Sequence, residues 1–96
     1  MIVCSVRHRG LRPLLEQDDP RFLQATQVDR VRKILTALIV SKSIHALVEG
    51  APPGRRVHRL SGSRHGVWSI SVSRNWRITF VEEDCLLRHL DLEDYH

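Results

Sequence analysis

The sequence predicts an α+β fold, with helices first, an antiparallel meander after them, and the helices packed on one sheet face. Three observations carry this. The apolar period drops from about 3.6 to 2 across "GAPPG" at 50–54. Asp19-Pro20 gives a strong helix start before it, and "VWSISVS" and "WRITFV" alternate after it.

In chain order, "IVCSV" at 2–6 is a short β-branched run able to add a strand to the sheet. "GLRPLLEQ" reads as a short helix, with Pro13 tolerated in its first turn. Asp19 can cap the next helix and Pro20 can open it, so a helix of about twenty residues, roughly 30 Å, is expected over 21–41. Val28, Val31, Leu35 and Leu38 mark its buried stripe. Arg30 and Lys33 lie off that stripe, and Asp29 precedes Lys33 by one helical turn as a supporting pair. "SIHALVE" reads as a short helix or turn.

After the break, His58 falls in the first strand of the meander. Trp68, Ile70 and Val72 then alternate with serines, and Trp76, Ile78 and Phe80 alternate with Arg77, Thr79 and Val81. The two runs join across "SRN" as a hairpin. "EED" at 82–84 turns the chain, and Leu86, Leu90 and Leu92 suggest a last strand anchored almost to its end. Asp94, Tyr95 and His96 then leave the edge of a rigid sheet. With no repeat or low-complexity tract, residues 1–96 are expected to form one domain.

The composition narrows the function classes. Lys and Arg number 15 against 11 acids, for a net charge of +4, and only Lys33 and Lys42 are lysines. Guanidinium presents a planar fork that fits phosphate in a bidentate way, so such a surface suits RNA, DNA or an acidic protein. A GC-rich genome writing Arg for Lys gives the same composition. Arg55, Arg56, Arg59 and Arg64 form a basic stretch, read either as a backbone-tracking patch or as a charged sheet edge. Cys4 and Cys85 are too few for a disulfide framework and too far apart for zinc, and are expected as reduced thiols packed in the core. The start lacks a long apolar stretch and no run spans a membrane, so a cytoplasmic protein is expected. The six histidines show no metal-ligand spacing, and neither metal nor cofactor is expected.

Phosphate chemistry fits better. Cleaving RNA without a metal needs a base for the 2′-hydroxyl, an acid for the leaving 5′-oxygen and a cation for the phosphorane. His58 and His96 can serve as acid and base if sheet pairing brings their strands together. Arg77, on the polar side of its strand, can grip a phosphate, and Tyr95 can stack on a base or donate a proton. An exposed histidine, a solvated arginine and a frayed terminus are the plainer alternatives.

Four motifs strengthen the first reading. His58-Arg59-Leu60-Ser61-Gly62, Trp68-Ser69-Ile70-Ser71-Val72, Asn75-Trp76-Arg77-Ile78-Thr79-Phe80 and Asp94-Tyr95-His96 together resemble the HigB-type toxins of bacterial toxin–antitoxin pairs, within the RelE/ParE superfamily. The likeness is close over roughly 57–96. It implies two N-terminal helices on a curved, mainly antiparallel sheet. It also implies an mRNA endonuclease acting in the ribosomal A site, partnered by a helix-turn-helix antitoxin of the HigA type, with operator DNA reached only through that antitoxin.

By the resemblance, His58 and His96 are proton-transfer groups and Asp94 is an orienter or additional base. Tyr95 contacts the mRNA or assists the chemistry, and Arg77 holds the scissile phosphate. The chain departs from the family pattern at three places. Ser61 replaces the usual lysine, Arg59 replaces proline on the face opposite His58, and Arg74 replaces the hairpin glycine with a further phosphate contact in reach. The alternatives are a non-enzymatic ParE-like inhibitor of a protein target, or a weakened toxin acting mainly with its antitoxin in operon repression.

Overall fold

The alternation after Gly54 builds most of one five-stranded sheet. In the computed structural model, which describes residues 1–94, the strand order is β1-β5-β4-β3-β2. The strands are β1 (Ile2–Val3), β2 (His58–Arg59), β3 (Val67–Ser71), β4 (Trp76–Glu83) and β5 (Leu86–Asp94). Strands β2 to β5 are antiparallel, as the meander requires, and β1 joins β5 in parallel. Three helices precede the meander: α1 (Leu11–Gln17), α2 (Val28–Val40) and α3 (Ile44–Gly50). The core forms where Leu11, Val31 and Leu38 of the helices meet Ile70, Ile78, Phe80 and Leu90 of the sheet. No helix among the described residues is long and apolar enough to cross a membrane.

The helix expected over 21–41 is shorter than its start signal suggests. Asp19 and Pro20 begin a turn instead: the Arg21 amide donates to Asp19 Oδ1 at 3.0 Å and the Leu23 amide to the Pro20 carbonyl at 3.0 Å. Gln24 is then extended, and a single 3-10 turn at Ala25–Gln27 leads into α2. The cause is a tertiary contact. Leu23 lies against Gly10, where an added Cβ would sit 2.9 Å from Leu23 Cδ2 and 3.0 Å from the Phe22 carbonyl oxygen. Closeness to α1 holds this segment off the axis of α2, overriding local propensity.

Within α2 the buried stripe is Val31, Ile34, Leu35 and Leu38, with Val28 half-buried. Lys33 Nζ and Asp29 Oδ2 pair at 3.1 Å as the spacing predicts. The Met1 ammonium donates to the carbonyls of Leu38, Ile39 and Ser41, so orphan acceptors at the end of α2 meet a positive charge. Helix α3 is a third helix, where the resemblance implied two. Ser43 Oγ caps it by accepting from the Ala46 amide at 3.1 Å. Ser43→Ala is expected to cost about 1 kcal/mol in a denaturant titration.

Two irregularities aim the sheet's side chains. The β4–β5 turn is Asp84-Cys85, both with left-handed φ (52° and 65°), a two-residue hairpin turn whose twist suits the strands. Glu82 and Glu83 of "EED" therefore finish β4, and Asp84 opens the turn. Further along, Thr79 faces Asp91 while Val81 faces Arg88, so β5 carries one extra residue, and His89 there has φ 56°. This bulge reverses side-chain parity. Leu87 before it and Leu90 and Leu92 after it all enter the core, whereas Leu86 is only half-buried.

The cysteines do not pack in the core. Cys4 is exposed, and Cys85 is half-buried in its turn with Sγ donating to the Lys42 carbonyl at 3.3 Å. Alternation along the N-terminal edge places Val3 against the core and turns Cys4 outward. Alkylation by iodoacetamide is therefore expected to be faster at Cys4 than at Cys85, read by mass spectrometry of the native protein.

Candidate active site

The face of the sheet turned away from the helices is polar because the inward residues of β3 and β4 take up the apolar half of the alternation. Two rows cross it. His58, Ser69, Thr79 and Asp91 form one, and Ser71, Arg77 and Glu93 form the next.

His58 is exposed on the edge strand, and its Nδ1 lies 2.8 Å from the Arg56 carbonyl oxygen. A carbonyl only accepts, so Nδ1 carries the hydrogen and Nε2 of the neutral ring keeps its lone pair. Arg56 has φ 51°, a left-handed conformation in the segment leading to β2. The Ser71 amide donates to the Arg55 carbonyl at 2.7 Å, docking that segment on β3.

Beside His58 lies a cleft of about 70 Å³, lined by Arg56, His58, Ser69, Ser71, Ser73, Arg74 and Trp76. Two guanidiniums, three hydroxyls and one imidazole with a proton-accepting nitrogen suit an anionic ester. Arg74 reaches it from the β3–β4 loop, which closes by bonds from the Val72 and Ser73 amides to the Trp76 carbonyl. Arg74 is absent from the left-handed residues, so the loop accommodates its side chain without strain.

A second cluster organises the next row. Arg64, at the end of the 3-10 turn Gly62–Arg64, grips Glu93 through two bonds of 2.6 and 2.7 Å. Thr79 Oγ1 also donates to Glu93, and Arg77 Nη2 lies 3.7 Å from its Oε1. The Arg64 hydrogen bonds, with help from Thr79 and from the charges of Arg64 and Arg77, hold the Glu93 carboxyl down at about 2 against the opposing effect of burial. The same bonds raise Arg64.

The expected site residues are thus distributed. His58 and Arg74 share the cleft, and Arg77 stands in the adjacent row beside Glu93. Arg59 is on the opposite face, as its parity implies, with its guanidinium 5.6 Å from the Trp68 ring centroid. Asp94 ends the described part of β5 opposite Trp76, on the helix side of the sheet. Strands β3 and β4 lie between β5 and β2 in the sheet. Tyr95 and His96 lie outside the described residues.

Sequence reasoning singled out neither Glu93 nor the serines, and took Arg56 and Arg64 only as part of a basic stretch. Parity alone could have placed Glu93 with Arg77. Nothing local announces that Arg64 folds over onto it.

A small mixed sheet with helices on one face is a fold shared with solved structures. YafQ from E. coli strain BL21(DE3) superposes with a TM-score of 0.63 at 15% identity, covering 96% of this chain and 90% of that one. The YafQ of the E. coli DinJ–YafQ toxin–antitoxin complex gives 0.60 at 16% identity, covering 96% and 89%. These likenesses establish the fold.

The family follows from sequence. The family described as "RelE-like toxin of type II toxin-antitoxin system HigB" matches residues 4–96. Endoribonuclease HigB of Proteus vulgaris is 36% identical over 97 residues, covering 99% of this chain and all of that protein. The chain belongs to the HigB-like family of RelE-type toxins, as its motifs suggested.

Proposed function

We propose that this toxin is a ribosome-dependent mRNA endonuclease of the cytoplasm that works by general acid–base chemistry and is restrained by a HigA-type antitoxin. The observation that carries the reading is the cleft itself, where His58 faces the same small space as Arg56 and Arg74. The full-length likeness to an endoribonuclease supports it.

In this mechanism the scissile phosphate enters the cleft. Arg74 and Arg56 take the charge that grows on the phosphorane, with Arg77 behind them in the next row. Nε2 of His58 exchanges a proton with the reacting ribose or leaving oxygen, while the Nδ1 bond to the Arg56 carbonyl fixes the ring's tautomer. His96 supplies the complementary proton transfer, with Asp94 and Tyr95 assisting at the strand end. Such a toxin reaches operator DNA only through its antitoxin.

The test adds purified protein to a translating extract and maps new 5′ ends on a reporter mRNA. New ends within the translated frame are expected from the unaltered protein, and far fewer from Arg74→Ala. An untouched message would overturn the endonuclease reading, and cleavage of untranslated RNA at the same sites would overturn its ribosome dependence.

A further inference from the structure

A second polar cavity lies at the same end of the sheet, on the α2 side of Trp76. It measures about 350 Å³, and Gln24, Thr26, Gln27, Arg30, Ser73 and Trp76 contribute to its wall. We infer that this cavity is a nucleobase subsite, in which the Gln27 carboxamide reads the edge of an unstacked RNA base held against Trp76. The inference rests on the endonuclease reading and names how the substrate is selected.

The first observation is Gln27 itself. Gln27 is only 5% exposed, and its Nε2 has no hydrogen-bond partner among the described residues. A buried, unpartnered amide works against folding, and methionine would fill the same space without that burden. A base edge carrying a carbonyl oxygen or ring nitrogen supplies the missing acceptor.

The second observation is continuity. Ser73 and Trp76 line both this cavity and the cleft holding His58. An RNA strand passing over Trp76 would place a phosphate by Arg56 and Arg74 and an adjacent base by Gln27. Single-stranded RNA is commonly read this way, by stacking on an aromatic ring and hydrogen bonds to the base edge.

Charge separates the two spaces. Among the described residues, the His58 cleft carries two guanidiniums and no carboxylate, whereas Asp29 and Arg30 both line the second cavity. Arg30 is drawn to the sheet, its Nη1 donating to the Val72 carbonyl at 2.9 Å. A cavity with balanced charges suits a neutral base better than a phosphate, and its volume falls within the range of small-molecule sites.

The experiment follows Trp76 fluorescence in a Trp68→Phe, His58→Ala background, titrated with short single-stranded RNA oligonucleotides that differ at one base. The RNA is expected to quench Trp76 with a preference for one base. Gln27→Met is expected to weaken the preferred oligonucleotide about 3- to 10-fold, flatten the preference, and raise Tm by a few degrees. Unchanged affinity and preference in Gln27→Met would overturn the subsite, as would RNA binding that leaves Trp76 unquenched. A Gln27→Met protein that loses stability and keeps its preference would make the amide structural and also overturn it. Because binding is read without cleavage, selective quenching by a protein whose His58-intact parent cuts nothing in the extract would retire the endonuclease and keep the subsite.

Discussion

His58→Ala is expected to slow mRNA cleavage by about 10²- to 10⁴-fold while leaving stability within about 0.5 kcal/mol of the parent. The asymmetry comes from where the side chain sits. It is exposed on an edge strand, and the one contact described for it is to the Arg56 carbonyl two residues away, so truncation removes little packing. The chemistry loses the imidazole that the described residues place in the cleft. Single-turnover rates at saturating ribosome–mRNA complex would register the loss in the chemical step, with little change in apparent affinity. Cleavage within threefold of the parent would remove His58 from the mechanism.

Glu93→Gln is expected to destabilise the fold by about 2 kcal/mol at neutral pH, with an effect that fades in acid. Glu93 ionises at about 2 in the folded protein, well below the ordinary carboxylate value of 4.5. The unfolded chain therefore takes up a proton first as pH falls. The contribution is fully present above about pH 5 and is lost progressively as pH drops toward 2. The full shift would correspond to roughly 3 kcal/mol. Solvent screening of Arg64, whose side chain is 38% exposed, reduces that figure. Urea titrations of both proteins between pH 7 and pH 2.5 check the sign, since the two stabilities should converge on acidification. A gap that stays constant would mean the ionised carboxylate is not its source.

What the sequence revealed and what it hid divide along a physical line. Period-2 alternation located β3 and β4 because each strand's inward residues meet one core, and a register slip would turn all of them out to solvent. The start of α2 was misplaced because Asp19 and Pro20 are equally good at opening a turn, and the choice depends on Leu23 meeting Gly10. Parity in β5 was hidden by a bulge with no glycine to mark it, its left-handed residue being His89.

The site was legible in the same partial way. His58 and Arg77 stand on the polar face of the sheet, Arg77 as the alternation of its strand implied, and Arg74 reaches that face from the β3–β4 loop. Arg56 and Arg64 reach it through a left-handed residue and a 3-10 turn, geometries that a periodicity argument does not capture. Asp94, an orienter or additional base by the resemblance alone, ends the described part of β5, and strand order sets β3 and β4 between that strand and the strand of His58.

The pairing of β1 with β5 has a consequence for how the protein comes into being. Ile2 and Val3 align with Leu86 and Leu87, which are made long after them, and β5 also brings Leu90 and Leu92 to the core. At about 5–20 residues per second, the amino-terminal strand waits several seconds for its partner. Until then the nascent chain has helices without the strand that completes the surface beneath them. If the finished protein cuts messages on the ribosome, it cannot do so from within that state, because β1 and the core wait for β5 to be made.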